Sequence, residues 1–444
     1  MTAALLLALS LAPPAPFTPF AQVPPVAPIA GPPGAEEVPD GGPPSVAPAG
    51  SDPDWAAVPP TGGRLEVHPG TRVLHLNGPS IESRGFAEGY LLADDIFDCF
   101  GEFALDHVTG GAPVAWDLVV RPGIRARFAF GASHERWAEA VVRGMAAARG
   151  DRGLGLGVPD RDLDPFDVLA CAAIPDLAGV LCSSLAVWGD SSASGDVLVG
   201  RNLDYPSTPA VERASLVEVH APLDGAPGWI GVGWPGSAGC LTGLSERGVY
   251  AAVHDVYADE ALPKTKATPR TLILETLLTE LAPGASTAEE ALRVARTRSF
   301  VMAGNVMVAW QANERPTEVP ADLVRTFRGA CVLEIGTDEA LDAGVTLRRS
   351  DGAEPWIACS NDFRARSGAD LGCRRYAAWT DGVERAPLQA SDLWRLADDA
   401  GMTITLYRTV ADLGAGTLSV ERHTGAGWQP RWRSRSVAAE VRSH

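Results

Sequence analysis

Two apolar runs around a small, polar centre constrain this 444-residue chain more than any other feature. The first is Leu181-Cys182-Ser183-Ser184-Leu185-Ala186-Val187-Trp188-Gly189 and the second is Val197-Leu198-Val199-Gly200-Arg201-Asn202-Leu203-Asp204-Tyr205. Between them lie Ser191, Ser192, Ser194 and Gly195, so the pattern predicts a β-hairpin. A reversal near residues 192–193 sets residue 182 opposite residue 203, which brings Arg201 and Asp204 beside Cys182. A guanidinium near a thiol favours the thiolate and lowers its pKa from about 8.5. A nearby carboxylate can orient that Arg or an amine.

Around the hairpin, short β-rich runs fall at 182–188, 197–203, 215–219, 229–234, 249–254, 305–310, 330–335, 356–360 and 403–408. From Ile81, the residues Phe86, Tyr90, Phe97 and Phe100 recur at helical spacing, with Leu92, Ile96, Cys99 and Phe103 beside them, and predict a long, partly buried helix. Further helices are expected at about 134–149, 270–281, 286–298 and 391–400, and Ser286 with Glu289 has the form of a capping box. Strands and helices in blocks, rather than strict alternation, suggest an α+β fold of stacked antiparallel sheets covered by helices.

Residues 1–60 contain no Lys or Arg and 16 of the 36 prolines, a composition that favours an extended tether over a packed core. Within it, Ala3–Ala12 has the length of the apolar part of a secretory signal, though no basic residue precedes it. The division expected from sequence is therefore 1–21 as a candidate signal, 22–60 as a Pro-rich tether, 61–181 as a largely helical prosegment and 182–444 as a larger subunit. A secreted, periplasmic or cell-envelope location follows if the signal is used, and a cytoplasmic one if it is not.

The 55 acidic residues exceed the 37 basic ones, giving a net charge of −18 that repels phosphate backbones, so nucleic acid is not an expected partner. The only lysines, Lys264 and Lys266, do not follow a Gly, which excludes an ordinary P-loop. Gly231-Val232-Gly233-Trp234-Pro235-Gly236 fits a dinucleotide fingerprint on paper, but Pro235 and the lack of a following helical pattern spoil it. With neither H-E-x-x-H nor C-x-x-C in the sequence, no metal and no cofactor are expected. Beyond Cys182, the six cysteines Cys99, Cys171, Cys240, Cys331, Cys359 and Cys373 allow up to three disulfides or reduced core thiols.

The run Cys182-Ser183-Ser184 followed by Gly200-Arg201-Asn202-Leu203-Asp204-Tyr205 resembles the N-terminal-nucleophile hydrolases with a cysteine nucleophile. That superfamily includes choloylglycine hydrolase, acid ceramidase and the penicillin acyltransferases. Arg84-Gly85-Phe86-Ala87-Glu88-Gly89-Tyr90-Leu91-Leu92-Ala93 looks like the helix that precedes the nucleophile in the penicillin acyltransferase family. The stretch from Pro235-Gly236 to Leu241-Thr242-Gly243-Leu244-Ser245-Glu246-Arg247-Gly248-Val249 resembles that family's Gly-rich strand and turn, with Ser245 where the family has Asn. Ser360-Asn361-Asp362-Phe363 and Arg374 look like the late Asn and Arg of the superfamily. Together the similarity runs from about residue 65 to 380.

The resemblance implies a four-layer αββα sandwich of two antiparallel sheets. It also implies self-cleavage between Leu181 and Cys182, exposing a Cys182 α-amino group that serves as general base for its own thiol, with the two processed subunits staying associated. The implied activity is amidohydrolase or acyltransferase action on a small linear amide or thioester; apart from the resemblance, a composition of ordinary globular type argues against an integral membrane span. Cys182 is then the nucleophile, Asn361 an oxyanion donor, and Arg201 and Asp204 tune the thiol and amine. His254, which falls where choloylglycine hydrolases carry Asn, is a candidate substrate-binding residue, and Arg374 is placed to meet a substrate carboxylate or to pair with an acid. Two alternatives stand beside this reading: an acid-ceramidase-like lipid amidase, and a non-catalytic secreted binding protein on a Pro-rich stalk.

Overall fold

The hairpin forms in the register expected. In the computed structural model, Leu181–Val187 pairs antiparallel with Leu198–Asp204, setting Cys182 opposite Leu203, Ser184 opposite Arg201 and Leu181 opposite Asp204. The reversal is tightened by Gly189 and Gly195, both at positive φ (56° and 75°), where a side chain would be strained. The structure describes residues 62–157, 161–178, 181–205, 208–256, 266–312, 327–336, 344–350, 354–366, 372–385 and 387–442, so the candidate signal and tether lie outside the described residues.

Because side chains alternate across a strand, Cys182 and Ala186 join the core between the two sheets, whereas Leu185 and Val187 pack beneath helices on the opposite face. The same alternation turns Arg201 inward. The hairpin sits in a sheet ordered Trp356–Cys359, Leu181–Val187, Leu198–Asp204, Thr405–Asp412, Thr417–Thr424 and Gly427–Trp428, with Trp432–Arg433 pairing Thr417–Thr424 off that path. The facing sheet has nine strands: Gly63–His68, Thr71–Leu76, Leu216–His220, Trp229–Gly233, Thr242–Ser245, Val249–Asp255, Gly304–Gln311, Arg328–Ile335 and Val345–Arg349.

Helices Arg374–Val383 and Ala390–Asp399 cover the outer face of the seven-stranded sheet, where Trp379 and Leu393 meet Leu185 and Leu198. On the other side Arg270–Glu280 and Thr287–Arg296 cover the nine-stranded sheet, with Leu274, Leu277 and Ala291 in its core. The molecule is thus an α+β fold of four layers, helices, sheet, sheet, helices. One pair departs from the purely antiparallel expectation: Thr71–Leu76 runs parallel to Leu216–His220. The many residues between them, including the hairpin, form the long crossover that a parallel pair requires.

The region before Cys182 is not a separate body, since its first two strands extend the nine-stranded sheet and its helices bury Leu74, Leu76 and Leu216 of that sheet. The expected long helix is broken into Ile81–Leu91, Ala93–Cys99 and a π-helical stretch Phe100–Val108. Helix Ile81–Leu91 crosses Ala132–Arg149 at close range. A Cβ on Gly89 would lie 2.0 Å from the Val141 carbonyl oxygen, and one on Gly144 would lie 2.2 Å from that of Phe86. The glycines of Arg84–Ala93 therefore have a packing reason. The capping box does not form: Ser286 Oγ donates to Glu290 at 2.6 Å, and the Thr287 hydroxyl accepts from Gly284 N instead. Among the described residues no helix is long and apolar enough to cross a membrane.

Glu88 on Ile81–Leu91 is buried in a cavity lined also by Glu218, Glu275, His134, His220 and Arg84. Burial raises its pKa to about 7, although Gly236 N and Trp137 Nε1 donate to it at 2.9 and 3.2 Å. Burial and the charge of Glu88 also push Glu218 well up, whereas burial drives His220 down to about 3. A carboxyl with a raised folded pKa holds a proton that the unfolded chain has released, so its contribution is lost as pH rises through about 7. His220 acts oppositely, but only below about pH 6.5. Between pH 6.5 and 8 an uncleavable Cys182→Ala chain should therefore lose about 1 kcal/mol more stability than the same chain carrying Glu88→Gln. Urea unfolding at the two pH values measures this, and equal losses would show that Glu88 holds no proton there.

Candidate active site

Cys182 is fully buried, and Arg201 Nη2 lies 3.2 Å from its Sγ. Arg201 spans the two sheets. Its Nη2 also donates to the Val253 carbonyl at 2.7 Å and its Nη1 to the Leu241 carbonyl, both in the facing layer. Nη1 is 3.4 Å from Tyr407 Oη, which in turn meets Thr242 Oγ1 at 2.8 Å. A guanidinium held by two carbonyls cannot swing away from the sulfur. The pairing agrees with the hairpin, but its electrostatic outcome differs from the expectation: burial raises the Cys182 pKa, Arg201 offsets this only in part, and the charges of Asp255 and Asp204 add to the rise. Desolvation of a fully enclosed thiolate outweighs one adjacent cation.

The other side of the strand holds the Cys182 main chain. Asn361 Oδ1 accepts from Cys182 N at 3.0 Å and from Arg375 Nη2 at 2.6 Å, and Asn361 Nδ2 donates to the Asp255 carbonyl at 2.6 Å. Arg375 Nη1 reaches Asp204 Oδ2 at 3.1 Å and lies 3.4 Å from the Cys182 carbonyl oxygen. Asp204 also accepts from Thr405 Oγ1 at 2.5 Å. Burial raises the Asp204 pKa, with Arg375 as the main opposing charge. Asp204 is thus paired with Arg375, and Arg201 takes the thiol.

Three sequence expectations are placed differently. Arg374 is exposed at the start of its helix, and the arginine that faces the site is its neighbour Arg375. The two side chains are about 100° apart around the helix, so only one can point inward. His254 is buried with Nε2 2.7 Å from Ser184 Oγ and its ring 3.5 Å from Cys359 Sγ. Burial and the charge of Arg201 keep its pKa well below the ordinary value, so the ring is neutral and packs under the strand. Asn361 directs its amide N–H at the Asp255 carbonyl and offers Cys182 its oxygen, the geometry of an acceptor in this unbroken chain.

Arg375, Thr405 and Asn305 carry no signal in the sequence alone. Asn305 Nδ2 donates to the carbonyls of Ser360 and Asp362 at 2.9 and 2.8 Å and so fixes the turn that carries Asn361. All seven cysteines are free thiols, and the six besides Cys182 are core or half-buried groups without a bridge. Among the described residues no cluster of three or more His, Cys, Asp or Glu is arranged around a metal-sized site.

The Arg201 contact carries a direct test. With Arg201→Ala the midpoint of the pH profile for Cys182 alkylation by iodoacetamide should move up by about one unit, because a cation touching the sulfur is lost. The midpoint is compared rather than the rate, since the vacated volume also changes access. An unmoved midpoint in a folded variant would detach Arg201 from the thiol.

No family model and no curated protein matches this sequence. Among solved structures, the chain is similar to a Caenorhabditis elegans N-acylethanolamine-hydrolyzing acid amidase ortholog, at 15% identity and a TM-score of 0.39, over 52% of this chain and 93% of that one. It is also similar to two variants of conjugated bile acid hydrolase from Clostridium perfringens, at 10% identity, over 56% of this chain and 92% of each of those, with TM-scores of 0.37 and 0.36.

Proposed function

We propose that the protein is a cysteine N-terminal-nucleophile enzyme that cleaves itself between Leu181 and Cys182 and then acts as an amidohydrolase or acyltransferase on a linear amide or thioester. The observation that carries this reading is the double grip on one residue: Arg201 at 3.2 Å from the Cys182 sulfur, and Asn361 at 3.0 Å from the Cys182 nitrogen. A cysteine that only fills a core needs neither.

In the cleavage step, Cys182 Sγ gives up its proton and attacks the Leu181 carbonyl carbon. The C–N bond to Cys182 breaks, the nitrogen takes a proton, and a thioester to Leu181 remains. Water then hydrolyses the thioester, leaving a carboxylate on Leu181 and restoring the thiol. The new α-amino group, with an unperturbed pKa of about 7.7–8.0, sits where Asn361 Oδ1 holds the nitrogen, and near neutral pH it serves as base for the thiol. Substrate follows the same sequence: the thiol attacks the acyl carbonyl, the amine or thiol leaves with a proton, and water or an acceptor amine resolves the acyl-enzyme.

A lipophilic acyl group is favoured by a largely apolar cavity lined by Phe100, Phe103, Cys171, Tyr205 and Trp234, because Tyr205 belongs to the same core cluster between the sheets as Cys182. This supports the lipid-amidase form of the reading over action on small polar amides. An intact-mass spectrum of the purified protein tests the whole: two species meeting at Leu181–Cys182 are expected. A single 46.5 kDa chain that is nonetheless active would refute self-cleavage. Turnover of N-acyl lipids against small polar amides then decides the acyl group.

A further inference from the structure

Arg270, at the start of helix Arg270–Glu280, is 2% exposed and carries two carboxylates from different parts of the fold. Its Nε donates to Asp176 Oδ1 at 2.5 Å, its backbone N donates to Asp176 Oδ2 at 2.9 Å, and its Nη1 forms an ion pair with Asp255. Its Nη2 lies 3.4 Å from the Pro175 carbonyl oxygen. Burial works against the charge on Arg270, and the two carboxylates more than compensate, so the guanidinium stays charged.

Both partners matter for one bond. Asp176 lies five residues before Leu181, a stretch of chain spanning at most about 17 Å. Asp255 ends the strand Val249–Asp255, and its carbonyl holds Asn361 Nδ2 at 2.6 Å while Asn361 Oδ1 holds Cys182 N. One cation therefore fixes the chain just upstream of Leu181 and the strand end on which Asn361 is hung. We propose that Arg270 is a positioning residue for self-cleavage, gripping Asp176 and Asp255 together so that the Leu181–Cys182 bond is held against Asn361. This rests on the proposed reading of Cys182 as a self-cleaving nucleophile.

The two arms have separable consequences. The Asp176 arm restrains a segment that is released from Cys182 once the bond is cut, so it acts on cleavage and not on later turnover. The Asp255 arm persists in the mature enzyme. Asp176→Asn turns an N–H toward an arginine donor and removes the charge, at nearly constant volume.

The test follows processing of freshly purified full-length chains by mass spectrometry, together with turnover per processed molecule. Asp176→Asn should slow cleavage about tenfold or more, and its matured fraction should turn over within about twofold of wild type. Asp176→Glu, which keeps the charge, should restore part of the rate, and it serves alone if Asp176→Asn does not fold. Folding is checked by thermal unfolding in the uncleavable Cys182→Ala background. Wild-type processing by a folded Asp176→Asn chain would overturn the proposal, as would an equal loss of turnover in its matured fraction. A wild-type chain that never cleaves would overturn the parent reading instead.

Discussion

Cys182→Ala should leave a single uncut chain with turnover lowered by at least about 10⁴-fold, because the same sulfur is asked to break the Leu181–Cys182 bond and to carry the acyl group. Little of that loss can come from unfolding. The thiol is enclosed between two sheets, and its removal deletes one buried atom, a cost of about 1 kcal/mol. A core cysteine predicts the opposite pattern, a slightly less stable chain whose cutting and turnover match the wild type. Once cut, the wild-type halves should separate only on denaturation, since the first 181 residues supply two strands of the nine-stranded sheet and most of the cluster around Trp116 and Val141. Gel filtration before and after urea, read against mass spectra of both proteins, checks each part.

The hairpin is legible because its two faces differ so little: both runs are apolar on each side, which is what a strand buried under both a sheet and helices requires. A small polar centre then fixes the register to the residue. The strands Gly63–His68 and Val345–Arg349 are hidden for the converse reason, as edge strands of the sheet with charged residues interrupting their apolar pattern. The helix Arg374–Val383 is hidden too, and with it the choice of Arg375 over Arg374, because adjacent arginines give no periodic signal until the buried face, here Trp379 and Val383, is known. The thiol's electrostatics come out opposite in sign to the expectation, since proximity to Arg201 can be inferred from pairing, whereas enclosure depends on what the facing sheet brings.

Asn361→Ala should lower turnover by about 10² or more, and the structure separates two reasons that it would. As an oxyanion donor, Asn361 stabilises charge only in the transition state, so its loss lowers kcat with KM little changed. As placed here it is an acceptor instead, with Oδ1 on the Cys182 nitrogen and Nδ2 committed to the Asp255 carbonyl. Asn361→Asp distinguishes them. An Asp keeps the oxygen for Cys182 N and strengthens the pairing with Arg375, but it loses the N–H and sets an oxygen against the Asp255 carbonyl. If the N–H is the working group, Asp should be at least as damaging as Ala in both processing and turnover, since it adds negative charge where an oxyanion forms. If the acceptor role dominates, Asp should retain processing that Ala loses, because what matters is an oxygen that holds the nitrogen as the peptide amide becomes an amine. Wild-type kcat and normal processing in both variants would remove Asn361 from the chemistry and leave backbone N–H groups and Arg375, whose Nη1 lies 3.4 Å from the Cys182 carbonyl oxygen, as candidate donors to the oxyanion.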